Sequence, residues 1–176
     1  MALTRLNTNA YGTSLNLASN VTGTLPAANG GSGRTAVTGN VLQTVTGTST
    51  TAASTSATTY QASSLLVAIT PSATSSKIYV IASYQFHVAG ISSGNNGGQS
   101  TIYRDSGAVL AVEQDAFYSN NGTGLSLRQT LAVLDAPSST SEITYKIYFK
   151  ARDSGCTVGM MTNNGESTIT AMEVAG

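Results

Sequence analysis

The sequence predicts an all-β protein: an antiparallel β-sandwich of jelly-roll type, a knob preceded by an extended amino-terminal arm. Charged residues make up only 9% of the 176 residues, against about a quarter in ordinary soluble domains. Lys and Glu, the usual exposed helix formers, are scarce, whereas Thr, which suits a pleated surface, is abundant. From residue 41 onwards, short β-patterned runs alternate with turn clusters, a spacing typical of a sandwich or barrel.

The arm and its glycine-rich hinge occupy residues 1–40, and the sandwich head is predicted over residues 41–176. Gly, Asn and Pro are too frequent in the arm for a helix or a long strand, yet aliphatic residues recur among the polar ones. An extended segment with such anchors needs another surface to lie on, and we expect a neighbouring subunit to supply it. The predicted partner-binding residues of the arm are Leu15, Leu17, Val21, Leu25 and Pro26.

The first part of the head is predicted to hold two strands with a hydroxyl-rich tract between them. Val41–Gly47 has the pattern of a strand. Ser64–Ile69 reads as a short buried strand that ends before Pro71, because proline cannot donate to a ladder. The uncharged tract Thr48–Thr59 fits either an exposed edge strand or a loop, and we prefer a twisted edge strand that ends near Tyr60.

The clearest strand of the chain begins at Lys77. Its even positions are apolar and predicted to point inward, whereas its odd positions, with the exception of Ile81, are predicted to form the opposite face. The inward set is Ile78, Val80, Ala82, Tyr84, Phe86 and Val88. The glycine- and asparagine-rich stretch Gly94–Gly98 is predicted to be a loop.

A hairpin and a further strand follow this loop. Gln99–Tyr103 and Ala108–Gln114 are predicted strands on either side of Arg104–Gly107, which has the chemistry of a tight turn. After a turn at Asn120–Gly124, a strand is marked on one face by four aliphatic residues and is closed by Asp135–Ser141. Those four residues are Leu125, Leu127, Leu131 and Val133.

Three strands complete the predicted sandwich. Glu142–Lys150 alternates cleanly between apolar and polar residues, and its inward side chains are Ile143, Tyr145, Ile147 and Phe149. The last two strands are predicted near Thr157–Met161 and at Ser167–Val174, with a turn at Asn163–Gly165 between them.

The charge balance and the hydropathy pattern exclude two classes of partner. Eight basic and eight acidic residues cancel, so no net field attracts nucleic acid or an anionic membrane. The amino terminus lacks the apolar stretch of a signal peptide, and the longest aliphatic run, Leu65–Ile69, is far too short to span a bilayer. We therefore expect no nucleic acid and no membrane as partner, and synthesis and folding in a cytoplasm.

Histidine and cysteine, two residue types that often carry catalysis, occur only once each. A Ser-His-Asp arrangement would have to use His87, the only histidine, and no nucleophile-elbow sequence accompanies it. We therefore expect His87 to be a hydrogen-bonded structural residue rather than a catalytic or proton-switching one. Cys156, the only cysteine, fits a small buried residue better than a reactive thiol. We expect no catalytic residue, no metal, no cofactor and no enzymatic activity.

The carboxylates and tyrosines have structural interpretations beside functional ones. Asp105, Glu113 and Asp115 lie on or beside the predicted hairpin, where a solvated turn is preferred to a calcium site. A hydrolase pair is unsupported, because Glu142, Glu166 and Glu173 read as strand-edge or terminal charges.

The tyrosines divide into two groups. Tyr84 and Tyr145 fall on core faces. Tyr79, Tyr118 and Tyr148 suit a wet interface, for which subunit contact is preferred to sugar binding.

Three segments resemble one group of proteins. Residues 20–33, Asn-Val-Thr-Gly-Thr-Leu-Pro-Ala-Ala-Asn-Gly-Gly-Ser-Gly, are similar to the VTGTLP-x-ANGG-(T/S)-G linker of tailed-bacteriophage virion proteins, especially tail-fibre proteins. Residues 67–80, Val-Ala-Ile-Thr-Pro-Ser-Ala-Thr-Ser-Ser-Lys-Ile-Tyr-Val, resemble the ITPSSTSSKILV segment of the β-rich heads that often follow this linker. Residues 167–174, Ser-Thr-Ile-Thr-Ala-Met-Glu-Val, resemble the closing strand of those heads.

The resemblance implies a structural protein of a phage virion, located on the capsid surface or the tail. Proteins of this group typically form homotrimers whose extended arms lead into one knob per subunit, and closed symmetry is usual for homo-oligomers. One short arm and one knob, with no coiled coil or shaft repeat, favour a capsid decoration (cement) protein that docks on the major capsid protein and stabilises the head. The alternative is a short tail-fibre or receptor-binding knob, attached to tail components, that contacts a host-surface glycan or protein. A stand-alone lectin or other binding module is a third possibility.

Overall fold

The computed structural model describes residues 38–89, 96–110, 114–119, 124–162 and 165–176, and every regular element in these ranges is a β-strand. The strands are β1 Val41–Ser49, β2 Ala53–Thr55, β3 Gln61–Ile69, β4 Lys77–Ala89, β5 Asn96–Arg104, β6 Ala108–Val109, β7 Gln114–Ser119, β8 Leu125–Asp135, β9 Ile143–Ala151, β10 Thr157–Met160 and β11 Ser167–Val174. The all-β prediction is therefore confirmed for the head.

The strands form two sheets in which every pairing is antiparallel. In the first sheet, β8 pairs with one side of β4, while β11 and β10 share the other side end to end. β1 then pairs with β11, and β2 pairs with β10. The second sheet has the order β3-β9-β5, and β6 and β7 share the far side of β5. Each sheet is therefore four strand positions wide.

The order of these positions identifies the fold. Strands that share a position are counted together, so the eight positions along the chain are β1/β2, β3, β4, β5, β6/β7, β8, β9 and β10/β11. The first sheet then has the order 1-8-3-6 and the second 2-7-4-5. This is the strand order of a jelly roll, two Greek keys wound into a sandwich, so the predicted architecture is confirmed.

The core lies between the two sheets and follows from the alternation in the sequence. All six inward residues predicted on β4 are buried, and so are the four predicted on β9. The larger aliphatic and aromatic side chains among them each contribute about 1.5–3 kcal/mol when they leave water. Tyr84 of β4 spans the sandwich and hydrogen-bonds through its hydroxyl to Ser100 Oγ of β5 at 2.6 Å. Its burial raises the pKa of the Tyr84 phenol, so the hydroxyl stays neutral.

Three predictions along the chain need correction. The predicted loop Gly94–Gly98 is wrong at its end, because β5 already begins at Asn96. A Cβ at Gly98 would lie 2.6 Å from Phe86 Cε1, so this glycine lets β5 approach the core rings. Within Thr48–Thr59, β1 continues to Ser49 and a separate edge strand is confirmed only at Ala53–Thr55. A single strand was predicted over residues 108–114. The structure instead has two short strands, β6, which covers only the first two of these residues, and β7, which begins at the last of them.

The described chain begins and ends at the same end of the sandwich, which we call the base. Gly39 N donates to Ala175 O at 2.7 Å, and Ala175 N donates to Asn40 O at 2.8 Å. The register places Val41 of β1, Asp135 of β8 and Arg104 of β5 at this end as well. The turn over residues 70–76 and the 104–107 hairpin therefore also belong to the base.

Candidate docking face

The outer face of the first sheet is a continuous surface built from four strand positions. Cross-strand pairs place Thr44, Met172, Tyr79 and Leu134 in one continuous row from β1 through β11 and β4 to β8. This row lies near the base. No element among the described residues packs over it, so the row is a candidate contact surface. We call the outward side of these four positions the outer face.

The part of the outer face nearest the base is apolar. Leu134 at the β8 end is 56% exposed, and Leu42 at the β1 end is 46% exposed. Between them lie the half-buried side chains of Met172 and Tyr79. Ile81, the exception in the predicted alternation of β4, lies in the next row between Thr170 and Ala132. That exception was the sequence signal for this surface.

Farther from the base, the outer face is covered by hydroxyl groups. Thr48, Thr168, Ser83 and Thr130 form one complete row across the sheet. In the row before it, Thr46 Oγ1 and Thr170 Oγ1 are 3.0 Å apart. Hydroxyl groups can donate or accept, so such a surface adapts to a partner without burying charge.

Charge is scarce on the outer face. Lys77 is exposed at its base end. Arg128 is exposed towards the opposite end, where its guanidinium donates to Glu166 O at 2.7 and 3.2 Å. The four strand positions at a spacing of about 4.8 Å, and the run from Lys77 to His87 at about 3.3 Å per residue, give a face on the order of 600 Å². A standard interface takes about 800 Å² from each partner, so this face supplies most of such an area.

A buried carboxylate stabilises the base through hydrogen bonds on the core side of the first sheet. Glu173 is 0% exposed. Its Oε1 accepts hydrogen bonds from Ser72 N at 2.7 Å, Ser72 Oγ at 2.6 Å and Ser76 Oγ at 2.6 Å. Its Oε2 accepts one from Gln43 Nε2 at 2.7 Å, and the same amide nitrogen donates to Thr70 O. These bonds tie β1, β11 and the 70–76 turn together.

The network explains the state of this carboxylate. Burial alone raises the pKa of the Glu173 carboxyl, but hydrogen bonds from Ser72, Ser76 and Gln43 outweigh it and lower that pKa to about 2. The interpretation of Glu173 as a strand-edge or terminal charge is therefore wrong. Its inward position in the alternation of β11, beside Ile169 and Ala171, was the available signal. The two head segments that carry the phage resemblance, residues 67–80 and 167–174, meet at this carboxylate.

A second polar cluster joins the two sheets at the base. Arg104 Nη1 lies 2.9 Å from both carboxylate oxygens of Asp135, and Tyr145 donates to Asp135 Oδ2 at 2.8 Å. Burial, followed by the bond to Asp135, raises the pKa of the Tyr145 hydroxyl, which keeps it a donor. The neighbouring Asp105, with a φ of 52°, accepts from Thr144 N at 3.0 Å and donates through its own N–H to Thr144 O. The predicted turn at 104–107 is thus confirmed and held against β9.

Three tyrosines form a cluster on the second sheet. The rings of Tyr103 and Tyr148 are stacked with centroids 4.1 Å apart, and Tyr60 meets Tyr103 edge-on at 6.0 Å. Lys150 Nζ lies 4.8 Å from the centroid of Tyr60. Tyr148 and Tyr79 are half-buried on outward faces, whereas the side chain of Tyr118 lies outside the described part. The predicted core positions of Tyr84 and Tyr145 are confirmed.

The other residues considered for catalysis or metal binding are the single histidine, the single cysteine and the carboxylates of the hairpin. His87 Nδ1 lies 2.9 Å from Ser126 Oγ on the outer face, as predicted for a hydrogen-bonded histidine. Cys156 is buried, with Sγ 3.4 Å from Gly97 O, which confirms the small buried residue. Glu113 and the side chain of Asp115 lie outside the described ranges, so the calcium alternative stays a prediction. Within those ranges, neither a cluster of metal-ligating side chains nor a pocket was found.

The five predicted partner-binding residues of the arm, from Leu15 to Pro26, lie outside the described residues. They remain predictions from the sequence. Over the part of the chain that is described, no helix is long and apolar enough to cross a membrane.

Comparison with known proteins gives only distant structural neighbours. No family model and no curated protein matches this chain. Among solved structures, a mutant VP2 protein of infectious bursal disease virus in T=1 particles superposes with a TM-score of 0.38 at 14% identity, over 77% of this chain and 37% of VP2. VP2 in the Gt strain of that virus gives 0.33 at 14% identity, and VP2 in a subviral particle gives 0.31 at 15%, each over 77% of this chain and 39% of VP2. The chain thus spans less than two-fifths of VP2, and the fold assignment rests on the strand order alone.

Proposed function

We propose that this chain is a non-enzymatic structural protein of a bacteriophage virion, a homotrimeric capsid decoration protein that docks on the major capsid protein and stabilises the head. The observation that carries the proposal is the outer face, a surface with little charge whose base end is apolar, with Leu42 and Leu134 exposed on either side of the half-buried Met172 and Tyr79. Exposed apolar rows of this kind are typical of protein–protein contact sites.

The phage resemblance supports the virion part of the proposal. Its linker segment lies in the arm, and its two head segments are joined through Glu173 at the base. The described chain also starts at the base, directly beside the apolar row. An arm that leaves from this end and an outer face near it can engage neighbouring virion chains together. The role is mechanical: each copy holds adjacent capsid subunits against the internal pressure of DNA.

A binding assay with particles that lack the protein tests the outer face. Full-length protein should cosediment with such particles and raise the temperature at which they release DNA. Replacement of Leu134 with Asp should weaken this binding about tenfold or more, because burial of a leucine contributes about 1.5–3 kcal/mol. Leu66→Asp, the same substitution at an exposed leucine on β3 of the second sheet, is the matched control and should bind like the wild type. Equal binding by wild type and the Leu134→Asp variant would contradict the proposed face.

Copy number separates this proposal from the tail-fibre alternative. Hundreds of copies per virion, counted by quantitative mass spectrometry, are expected of a decoration protein made in the host cytoplasm and added to the capsid surface. A few tens of copies or fewer would instead favour a receptor-binding knob on the tail.

A further inference from the structure

Within the described part of the chain, the second side of β8 is a regular sheet edge without a partner strand. β8 is 11 residues long and pairs without a bulge along Ile78–Val88 of β4. No other strand among the described residues pairs with its second side. Exposed edges are usually blunted by lysine, proline, a bulge or a short strand. β8 has none of these, and its one exposed charge is Arg128.

The core-facing side chains of β8 are incompletely covered at this edge. Leu127 and Val133 pack against the core yet remain half-buried. Between them, the buried Oε1 of Gln129 has no hydrogen-bond partner in the part of the chain that is described. A strand added to the edge would cover both aliphatic side chains and bring a donor to the amide oxygen.

The arm contains a segment that matches this edge. Residues 15–25 read Leu-Asn-Leu-Ala-Ser-Asn-Val-Thr-Gly-Thr-Leu, with no charge, and Pro26 follows directly. All four aliphatic anchors occupy odd positions, so in an extended conformation they project from one side. A proline after the last anchor ends the ladder because it cannot donate to it.

We propose that residues 15–25 of a second copy of this chain add to the free edge of β8 as an antiparallel strand. One register satisfies the chemistry of both sides: Leu15 faces Val133, Leu17 faces Leu131, Ser19 faces Gln129 and Val21 faces Leu127. The Ser19 hydroxyl then donates to the Gln129 amide oxygen. The inference rests on the proposed assembly role of the arm and names the chain that the segment binds.

The length of the connection favours a second copy over the same chain. An antiparallel strand would place residue 25 beside the Leu125 end of β8, opposite the base, whereas residue 38 lies at the base. These points are about 39 Å apart, from four strand spacings and the length of β8. The intervening residues reach about 43–47 Å only when every one of them is fully extended, so the same chain could make this connection only in a nearly fully extended conformation. Parallel addition would shorten the path, but parallel pairing is weaker and every described pairing here is antiparallel.

Cysteine cross-linking of two full-length variants tests both the register and the chain. One variant carries Ser19→Cys and the other, with a distinguishing tag, carries Gln129→Cys. Directly opposed residues on one face bring Cβ atoms within disulfide reach, so mild oxidation should give a cross-linked heterodimer. Thr130→Cys on the outward side of β8 is the matched control and should not cross-link to Ser19→Cys. Equal cross-linking at 129 and 130, or at neither, would overturn the proposal.

Hydrogen exchange on the full-length protein gives a second measurement. The amides of residues 125–135 should exchange at least about tenfold more slowly in the wild type than in a Leu17→Asp variant, which loses one buried anchor. Equal exchange rates would overturn the proposal. Neither experiment contains a capsid, so cross-linking without particle binding would leave this strand addition standing and reject the decoration role. Particle binding without cross-linking would do the reverse.

Discussion

Replacement of Glu173 with Gln tests the physical account of the base. In the folded protein the pKa of this carboxyl is about 2, whereas its ordinary value is 4.5. A group whose pKa is depressed by folding contributes stability above its unfolded pKa, and that contribution disappears as the pH falls through the folded pKa. The difference corresponds to about 3 kcal/mol at neutral pH, and it should be lost progressively between about pH 5 and pH 2.

The assay is urea unfolding followed by circular dichroism at several pH values. The unfolding free energy of the wild type should fall about 3 kcal/mol further between pH 6 and pH 2 than that of Glu173→Gln, which cannot titrate at this position. Glu142→Gln, an exposed carboxylate on the loop before β9, is the matched control and should follow the wild-type curve. If the Glu173→Gln and wild-type curves ran parallel, the hydrogen bonds from Ser72 and Ser76 would not be stabilising the ionised form.

Three further predictions concern packing, the base cluster and the arm. Gly98→Ala should lower the unfolding free energy by about 1–3 kcal/mol in a urea titration, because the new methyl group would overlap Phe86; an unchanged midpoint would contradict this. Asp135→Ala leaves the Arg104 guanidinium and the Tyr145 hydroxyl without their acceptor and should cost about 3 kcal/mol, measured in the same way, whereas Thr130→Ala should change little. Deletion of residues 1–33 should leave the melting temperature of the head nearly unchanged and abolish its incorporation into particles; undiminished incorporation would refute the arm as anchor.

Much of the head could be predicted because its strands have one buried face. On β4 and β9 each inward residue alternates with a polar or half-buried one, so the period of two was visible in the sequence. The jelly-roll order itself depends on which strands meet across the molecule. No local pattern carries that information, and composition could indicate only the class.

The polar contacts of the base could not be predicted from local sequence patterns, because their partners lie far apart along the chain. Glu173 and Ser72 are 101 positions apart, and Arg104 and Asp135 are 31 apart. A carboxylate on an inward position looks unfavourable until its partners are known, so a terminal charge was the simpler interpretation. The outer face as a whole was missed because Ile81 read as an exception in the alternation of β4 and Tyr79 was assigned to a subunit contact only as a single residue. Only the cross-strand register joins them to Met172 and Leu134 as one row.

The position of β1 determines how the head would respond to tension. Eight residue pairs join β1 to β11, and the first of them lies at the base, where the chain enters the strand. A force that draws the amino terminus away along the strand axis would load these pairs together in shear. Strands pulled in this direction resist far more than strands peeled apart one pair at a time. The head would therefore stay folded while its amino terminus is under tension, and weaker contacts around it would break first.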